Sequence, residues 1–399
     1  MFDKLKQFVH RLIPQSFINL FYHFPQALFW TLFYRYPAKN LTVIGVTGTD
    51  GKTTTSTLIW HILSQAGKKC GLITSINAGL HVTTPNPKNL QKFLRKMKNM
   101  GTKFVVLEST SHGLDQYRLW GSNFKVGVIT NVTHEHLDYH KTQANYLKAK
   151  RKLFRKVKIA ILNRDDISYQ PIKLYLAPKT KVSTYAIENK ADFTPKNFKF
   201  TSPLKGEYNQ YNCLAAIAAA SALGVKKTVI LKALANFKGV KGRMEEINLG
   251  QNFRVIIDFA HTPNALSCAL STLRNQLRKK GRLIAVFGSA GLRDKTKRPK
   301  MGKIASQYAD ISILTAEDPR TEDVNDIIDQ ISQGNHSFLR VPDRREAINL
   351  AIQKIAQKGD IVVICGKGPE KSMCYGRTEH PWSDRKEAEK AIKKVKICF

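Results

Sequence analysis

Gly45-Val46-Thr47-Gly48-Thr49-Asp50-Gly51-Lys52-Thr53-Thr54-Thr55 is the stretch on which the reading of this chain turns. Ahead of it, residues 41–46 are a short apolar run rich in Val and Ile, the signature of a buried strand; an amphipathic stretch of helical length follows. Glycines between a strand and a helix let backbone N–H groups close around phosphate oxygens, and the helix N-terminus adds its positive dipole end. In such a loop Gly48, Thr49, Asp50, Gly51, Lys52, Thr53 and Thr54 are the expected nucleotide contacts. Lys52 would neutralise β- and γ-phosphate charge, and the Thr53 hydroxyl would ligate Mg²⁺. The spacing departs from the general GxxxxGK[ST] rule, since Gly48 stands three residues before Gly51 and Gly45 six before. A chance Gly-Lys-Thr is a weak signal; one set between a strand and a helix, with Thr-Gly-Thr ahead, is strong.

Outward from this loop the same pattern repeats. Residues 104–107, 126–130 and 159–162 are further short apolar runs separated by amphipathic stretches. Continuous apolar strands alternating with helices predict a parallel sheet covered on both faces. Around residues 163–205 the alternation fades into Pro- and Lys-rich, β-leaning sequence, followed by an Ala-rich helix over residues 209–223. A second series runs through residues 255–258, 283–287, 311–315 and 361–365. The expected organisation is α/β throughout: an N-terminal segment 1–40, a P-loop ATPase-type domain 41–240 on a parallel or mixed sheet, and a second α/β domain 241–399.

A chain of 399 residues, 42% of them hydrophobic, has enough material for two or three ordinary cores. Sixty-five Lys and Arg against thirty Asp and Glu leave a net charge of +35, which favours anionic partners or reflects lysines spread over solvated faces. Cys70, Cys213, Cys268, Cys365, Cys374 and Cys398 form no CxxC pair, which argues against a secreted disulfide scaffold or a zinc ribbon and fits reduced thiols in a cytoplasm. Residues 17–34 carry thirteen apolar side chains in eighteen and no formal charge. Lys4, Lys6 and Arg11 precede them; Arg35 and Lys39 follow. Three readings stand: an anchor at the membrane interface, helices packed on the protein's own surface, or a short span broken by Asn19, His23, Pro25 and Gln26. No small-residue cleavage site follows, against a removable signal peptide.

Read together, several further motifs make the chain resemble the Mur ligases, and within them the branch that adds the third peptide residue to UDP-N-acetylmuramoyl-L-Ala-D-Glu. After TGTDGKTTT come Thr83-Thr84-Pro85, ESTSHGL at 108–114, NVTHEHLDYH at 131–140 and YLKAKRKLF at 146–154. The later half supplies NQYN at 209–212, GRME at 242–245, DFAHTP at 258–263, RDKTKR at 293–298, EDPR at 317–320 and GKGPE at 366–370. The resemblance spans about residues 41–390 and implies a central ATPase domain, a C-terminal Rossmann-like domain and an active site in the cleft between them.

The chemistry explains the residue types. A carboxylate must be activated before an amine can displace oxygen from it, so the ATP γ-phosphoryl group is moved to it and an acyl phosphate results. Two anions must approach, which makes clustered cations the main requirement. Lys52, with Mg²⁺ held by Thr53 and Glu108, would meet it; Glu108 follows a strand, where ligands bind in open α/β sheets. The resemblance implies that His136 ligates a second Mg²⁺ and that Lys150 carries a carbamate made from CO₂, although spacing alone reads Lys150 as part of a basic helical face. Such a reaction needs a neutral amine, hence a lowered Lys150 pKa beforehand. The resemblance further implies adenine contact for Asn212, phosphate contact for Arg243, and ribose contact for Asp258 and His261.

By the same resemblance Thr83, Thr84, Thr110, Gln116 and Arg118 face the muramoyl-dipeptide, and Arg293, Asp318, Arg320, Gly366 and Glu370 select the incoming amino acid. Arg320 suits the extra carboxylate of meso-diaminopimelate as a bidentate partner. Asp318 stands where diaminopimelate-adding members have Asn and leans toward L-lysine; Pro369 stands where His is usual. The family's uridine-binding domain has no counterpart, the forty aromatic-rich residues standing in its place, which opens two alternatives: recognition through the sugar-peptide portion alone, or a lipid-linked acceptor met at the membrane. Other readings are a folylpolyglutamate synthetase-like ligase, opposed by the muramoyl and amino-acid motifs; a glutamate-amidating subunit, opposed by the scattered cysteines; and a nucleic-acid-binding NTPase. No recognition-helix or RNA-module signature supports the last, so nucleic acid is not an expected partner. The expected location is cytoplasmic, with peripheral contact at the inner face of the membrane through residues 1–40.

Overall fold

The computed structural model describes residues 14–77, 84–277, 280–333, 335 and 337–397. The chain divides into two compact units: Met1–His134, His140–Pro203 and Asn209–Phe237 form the first, and Glu135–Tyr139, Leu204–Tyr208 and Lys238–Phe399 the second.

In the first unit six strands, β1 Thr42–Thr47, β2 Cys70–Ile73, β3 Phe104–Glu108, β4 Phe124–Ile129, β5 Ile159–Asn163 and β6 Lys181–Tyr185, form one sheet in the order β2-β3-β1-β4-β5-β6. Every pairing is parallel. The continuous Val/Ile/Leu runs are what both-sided burial requires; Val43, Val105, Ile129 and Leu162 lie in one core with Leu90, Leu94 and Phe154. The chain leaves β1 toward β2 on one side and returns to β4 on the other, so β1 lies at the reversal of strand order. The carboxyl end of such a strand is where ligands bind. Register pairs Val46 with Glu108, which sets the start of the phosphate loop beside the end of β3.

The second unit repeats the architecture with β7 Glu245–Ile247, β8 Arg254–Asp258, β9 Leu283–Phe287, β10 Ile311–Leu314, β11 Leu339–Arg340 and β12 Ile361–Cys365. Their order is β11-β10-β9-β12-β8-β7, parallel except for β7, which runs against β8. A hairpin of β13 Ser372–Tyr375 and β14 Thr378–Pro381 follows. Two apolar layers flank this sheet, one containing Leu266, Leu270, Met301 and Ile328, the other Ile348, Ile352 and Ile392. The α/β expectation holds in both units. Strand ends differ from the sequence expectation by a residue or two, and the β-leaning 163–205 region resolves into β6 and a short helix, Tyr169–Lys173.

The N-terminal segment is helical from Gln15, through a wide π turn at Asn19–His23, to Phe33. Its inner face is seated on the first unit. Asn19 donates to Asp115 at 2.8 Å, Ala27 and Thr31 are buried, and the Phe24 ring meets Tyr117 and Trp120 edge-on at 5.3 and 5.5 Å. An ideal α-helix would turn Ala27 about 80° away from Asn19; the wider π turn takes up that offset, which is how both halves bury the same side. Among the described residues no helix is long and apolar enough to cross a membrane, so the reading of this segment as a span is corrected: Asn19, one of its polar interruptions, is a contact that holds it to the protein.

Candidate active site

Two glycines shape the phosphate loop. Gly48 has φ +151°, and a Cβ there would lie 1.7 Å from Thr130 Oγ1; Gly51 has φ +79°, and its Cβ would lie 2.2 Å from Asn212 Oδ1. Any other residue would be strained or would clash. The loop is then pinned from below. Asp50 N–H donates to Asn131 Oδ1 (2.9 Å), Thr130 Oγ1 donates to Asp50 O (2.6 Å), and Thr133 N–H donates to Thr49 Oγ1 (3.0 Å). Gly51 caps the helix Lys52–Gln65, so the helix N-terminus opens at the loop. Lys52 Nζ donates to Thr49 O at 2.6 Å, folded back over the loop.

At the helix start Thr53 Oγ1 lies 3.1 Å from each oxygen of Glu108 and 3.1 Å from Ser75 Oγ, and Ser75 N–H donates to Glu108 Oε2 at 3.0 Å. A buried hydroxyl against a buried carboxylate is a hard-oxygen donor pair of the kind Mg²⁺ takes when substrate phosphates and waters complete its shell. Among the described residues no group of three or more His, Cys, Asp and Glu could hold a metal ion. Thr84 Oγ1 lies 2.9 Å from Thr110 Oγ1 and accepts from Thr110 N–H at 3.0 Å; Thr110 caps the short helix Ser111–Asp115. Arg118 Nη2 donates to Gln116 Oε1 at 2.5 Å. Thr83 lies outside the described residues.

Lys150 is buried, with Nζ donating to Gly48 O at 2.5 Å and lying 4.3 Å from the centre of the Tyr146 ring. The amine therefore reaches the phosphate loop itself. Asn212 is buried beneath Gly51; its Oδ1 accepts from Thr55 Oγ1 (3.1 Å) and its Nδ2 donates to Asn209 Oδ1 (3.0 Å). That placement makes it a buttress of the loop, a role that Asn131 shares and that the sequence reading did not assign to either. His136 falls in the Glu135–Tyr139 stretch that groups with the second unit; it is half-buried, has φ +56°, and its Nδ1 is 4.0 Å from Glu135 Oε1.

In the second unit Asp258 ends β8 and accepts from Met244 N–H (2.7 Å) and Ala260 N–H (2.8 Å), tying two loops to that strand. The Arg243 guanidinium lies over the Phe259 ring at 4.2 Å, and the His261 ring meets the same phenyl at 4.4 Å with Nδ1 2.9 Å from Phe259 O. Phe259 thus orients both candidate nucleotide contacts, a role that sequence reasoning missed. Around the end of β10, Asp318 (φ +43°) and Arg320 (φ +54°) hold left-handed backbone, the kind of outlier that clusters at ligand sites. Buried Lys367 donates to Asp318 Oδ1 at 2.7 Å and pairs with Glu370 Oε2 at 2.5 Å, and Cys374 N–H donates to Asp318 Oδ1 at 2.9 Å. Arg320 Nη1 donates to Gly291 O. The guanidinium of Arg293, on a residue exposed as a whole, is held below the ordinary arginine value first by desolvation and then by the like charge of Arg320. Gly366 has φ +111°, and a Cβ there would lie 2.7 Å from Glu317 Oε2. Glu317 itself is buried, has no partner for Oε2 among the described residues, and its carboxyl is pushed up to about 8, chiefly by burial. In sequence Glu317 and Lys367 lie within the quoted motifs and carry no assigned role; these contacts set them beside the candidate residues Asp318, Gly366 and Glu370.

Comparison with known proteins follows the same division. Residues 46–220 match the Mur ligase middle domain, and residues 242–368 match the Mur ligase glutamate ligase domain. The UDP-N-acetylmuramoyl-L-alanyl-D-glutamate–2,6-diaminopimelate ligase of Geobacillus thermodenitrificans is 38% identical over 92% of this chain and 82% of its own length. The UDP-N-acetylmuramyl-tripeptide synthetase of a Roseiflexus species is 37% identical over 90% of this chain and 80% of its own. A solved structure of a UDP-N-acetylmuramoyl-L-alanyl-D-glutamate–2,6-diaminopimelate ligase covers 89% of this chain and 79% of its own, at 34% identity and a TM-score of 0.60.

Proposed function

The chain belongs to the Mur ligase family and is an ATP-dependent carbon–nitrogen ligase, and from that premise we propose that it joins meso-diaminopimelate to the D-glutamyl carboxylate of UDP-N-acetylmuramoyl-L-Ala-D-Glu in the cytoplasm. The observation that carries the choice of amino acid is the Lys367–Asp318 pair. Asp318 argued for a lysine substrate only as an uncompensated anion; Lys367 lies on its Oδ1 and shares its one charge with Glu370, so the two acids together keep a single uncompensated charge. Arg293, whose guanidinium feels the like charge of Arg320, and Arg320 itself set two cations against that remaining charge, which favours a side chain that ends in a carboxylate over one that ends in an ammonium alone.

The residues act as follows in this reading. Gly48 to Thr54 hold the ATP phosphates through backbone N–H groups and the helix N-terminus, and Lys52 swings from Thr49 O to the β/γ oxygens. Thr53 and Glu108 would hold Mg²⁺, which would supply charge neutralisation at the transferring phosphoryl group. Lys150, as a carbamate, would offer oxygen ligands and His136 an imidazole nitrogen to a second Mg²⁺. Arg243, Asp258 and His261 serve the nucleotide from the second unit. Thr83, Thr84, Thr110, Gln116 and Arg118 position the acceptor so that its glutamyl carboxylate oxygen attacks the γ-phosphorus and ADP leaves. The amine of the amino acid then attacks the acyl phosphate carbon and expels phosphate, and one amide forms per ATP cleaved. Gly366 and Glu370, with Arg293, Asp318 and Arg320, hold that amino acid.

Peripheral contact with the inner face of the membrane through residues 1–40 belongs to this proposal. A second acceptor, the lipid-linked precursor, is favoured by the apolar outer face of that segment. The test incubates the protein with ATP, UDP-muramoyl-dipeptide and either meso-diaminopimelate or L-lysine, and weighs the products. The expected result is the diaminopimelate adduct, absent in Lys52→Ala. Lysine adduct in excess overturns the amino-acid assignment; product only from a lipid-linked acceptor selects the second reading.

A further inference from the structure

We propose that the outer face of the helical segment 15–33 is a docking surface for an anionic lipid bilayer. This gives the membrane contact above its surface and its lipid class, and it is independent of which amino acid the protein joins. The inner face is fully used: Asn19, Phe24, Ala27 and Thr31 fasten the segment to the first unit, and a Cβ at Gly121 would come within 2.6 Å of Thr31. The helix is therefore rigidly mounted, and what it presents outward is fixed. That face carries Phe17, Leu20, Phe21, Tyr22, Phe29, Leu32 and Phe33, each 48–62% exposed. Phe17 packs on Phe21 and Phe29 on Phe33, at 4.2 and 6.0 Å between ring centres, so these side chains form ridges rather than isolated exposures. Scattered apolar residues on a surface need no explanation; a contiguous aromatic face of this size does.

Charge identifies the occupant. No Asp or Glu occurs in residues 14–40, while Arg35 and Lys39 close the segment. The helix Pro87–Asn99 packs alongside and carries Lys88, Lys92, Arg95, Lys96 and Lys98 with no acid. Lys88, Lys92 and Lys96 recur every fourth residue and are exposed, and Lys88 Nζ reaches over the Trp30 ring at 4.9 Å. Aromatic side chains rimmed by lysines match the headgroup region of an anionic leaflet, rings at the acyl boundary and ammonium groups on the phosphates. A second copy docked face to face would bring this same basic helix against itself, which like-charge repulsion opposes.

The full chain is mixed with vesicles of phosphatidylglycerol and phosphatidylethanolamine, or of phosphatidylcholine alone, and sedimented. Binding to the anionic vesicles that weakens with salt is expected. Phe21→Ser/Phe29→Ser/Phe33→Ser is expected to lower it at least ~10-fold through lost apolar burial, and Lys88→Glu/Lys92→Glu/Lys96→Glu by a similar factor through lost attraction to the leaflet. Both variants alter exposed side chains outside the catalytic set, so thermal melting and turnover with the soluble acceptor should match the wild type. Equal sedimentation of wild type and both variants, equal binding to both lipid classes, or light scattering showing a dimer that the Ser variant dissolves would each overturn the proposal. Vesicle binding without any ligase product would instead leave it standing and remove the functional reading.

Discussion

Replacing Glu317 by Gln tests the electrostatics of the second unit most directly. The carboxyl ends buried beside Gly366, with Oε2 unpartnered among the described residues. Burial pushes it from 4.5 up to about 8, against the pull of Lys297, Arg344 and Lys367 and with help from Asp318. The folded state therefore keeps a proton that the unfolded chain releases. The stability this contributes is complete below about 4.5, falls as pH rises toward about 8, and is flat above that. A gap of that width corresponds to about 5 kcal/mol at most, and to less once the neighbouring cations relax toward the ionised form. Gln has the shape of the neutral acid and no titration, so Glu317→Gln should match the wild type near pH 5 and exceed it by a few kcal/mol near pH 8.5. Hydrogen exchange of the β10 and β12 amides across a urea series reads this unit separately from the first. Parallel stability curves for the two proteins between pH 5 and 8.5 would refute a buried, protonated Glu317.

Asp384→Ala should destabilise the second unit by about 3–5 kcal/mol in urea melts, because it strands Arg344, whose guanidinium is wholly buried and bonded to both Asp384 oxygens at 2.7 and 2.8 Å. Gly51→Ala should cut kcat/KM for ATP by about 100-fold or more, since a Cβ would press on Asn212 Oδ1 at φ +79°; Asn212→Ala in the same chain should recover only part, the backbone strain remaining. Lys150→Ala should be nearly inactive in ADP release and regain part of its rate with added short carboxylates; full activity without them would remove Lys150 from the site. Thr53→Val should raise the Mg²⁺ concentration needed for half-maximal turnover several-fold while leaving the melting temperature within a few degrees.

The sequence by itself determined both α/β series, because a strand buried on two faces must be written as an unbroken apolar run. It also placed the phosphate loop, because only glycines permit the backbone of Gly48 and Gly51. Lys52, Thr53 and Glu108 were readable for the same reason: each sits at a fixed offset from a strand end. Tertiary structure alone decided what surrounds them. That Asn212 holds up the loop, that Arg243 lies over Phe259, and that Lys367 pairs with Asp318 depend on contacts between residues well apart in sequence, which leave no local period. The N-terminal segment shows the same division. Its aromatic composition was evident, but which side faces the protein followed from Asn19 reaching Asp115 and from the π turn, and so from packing rather than pattern.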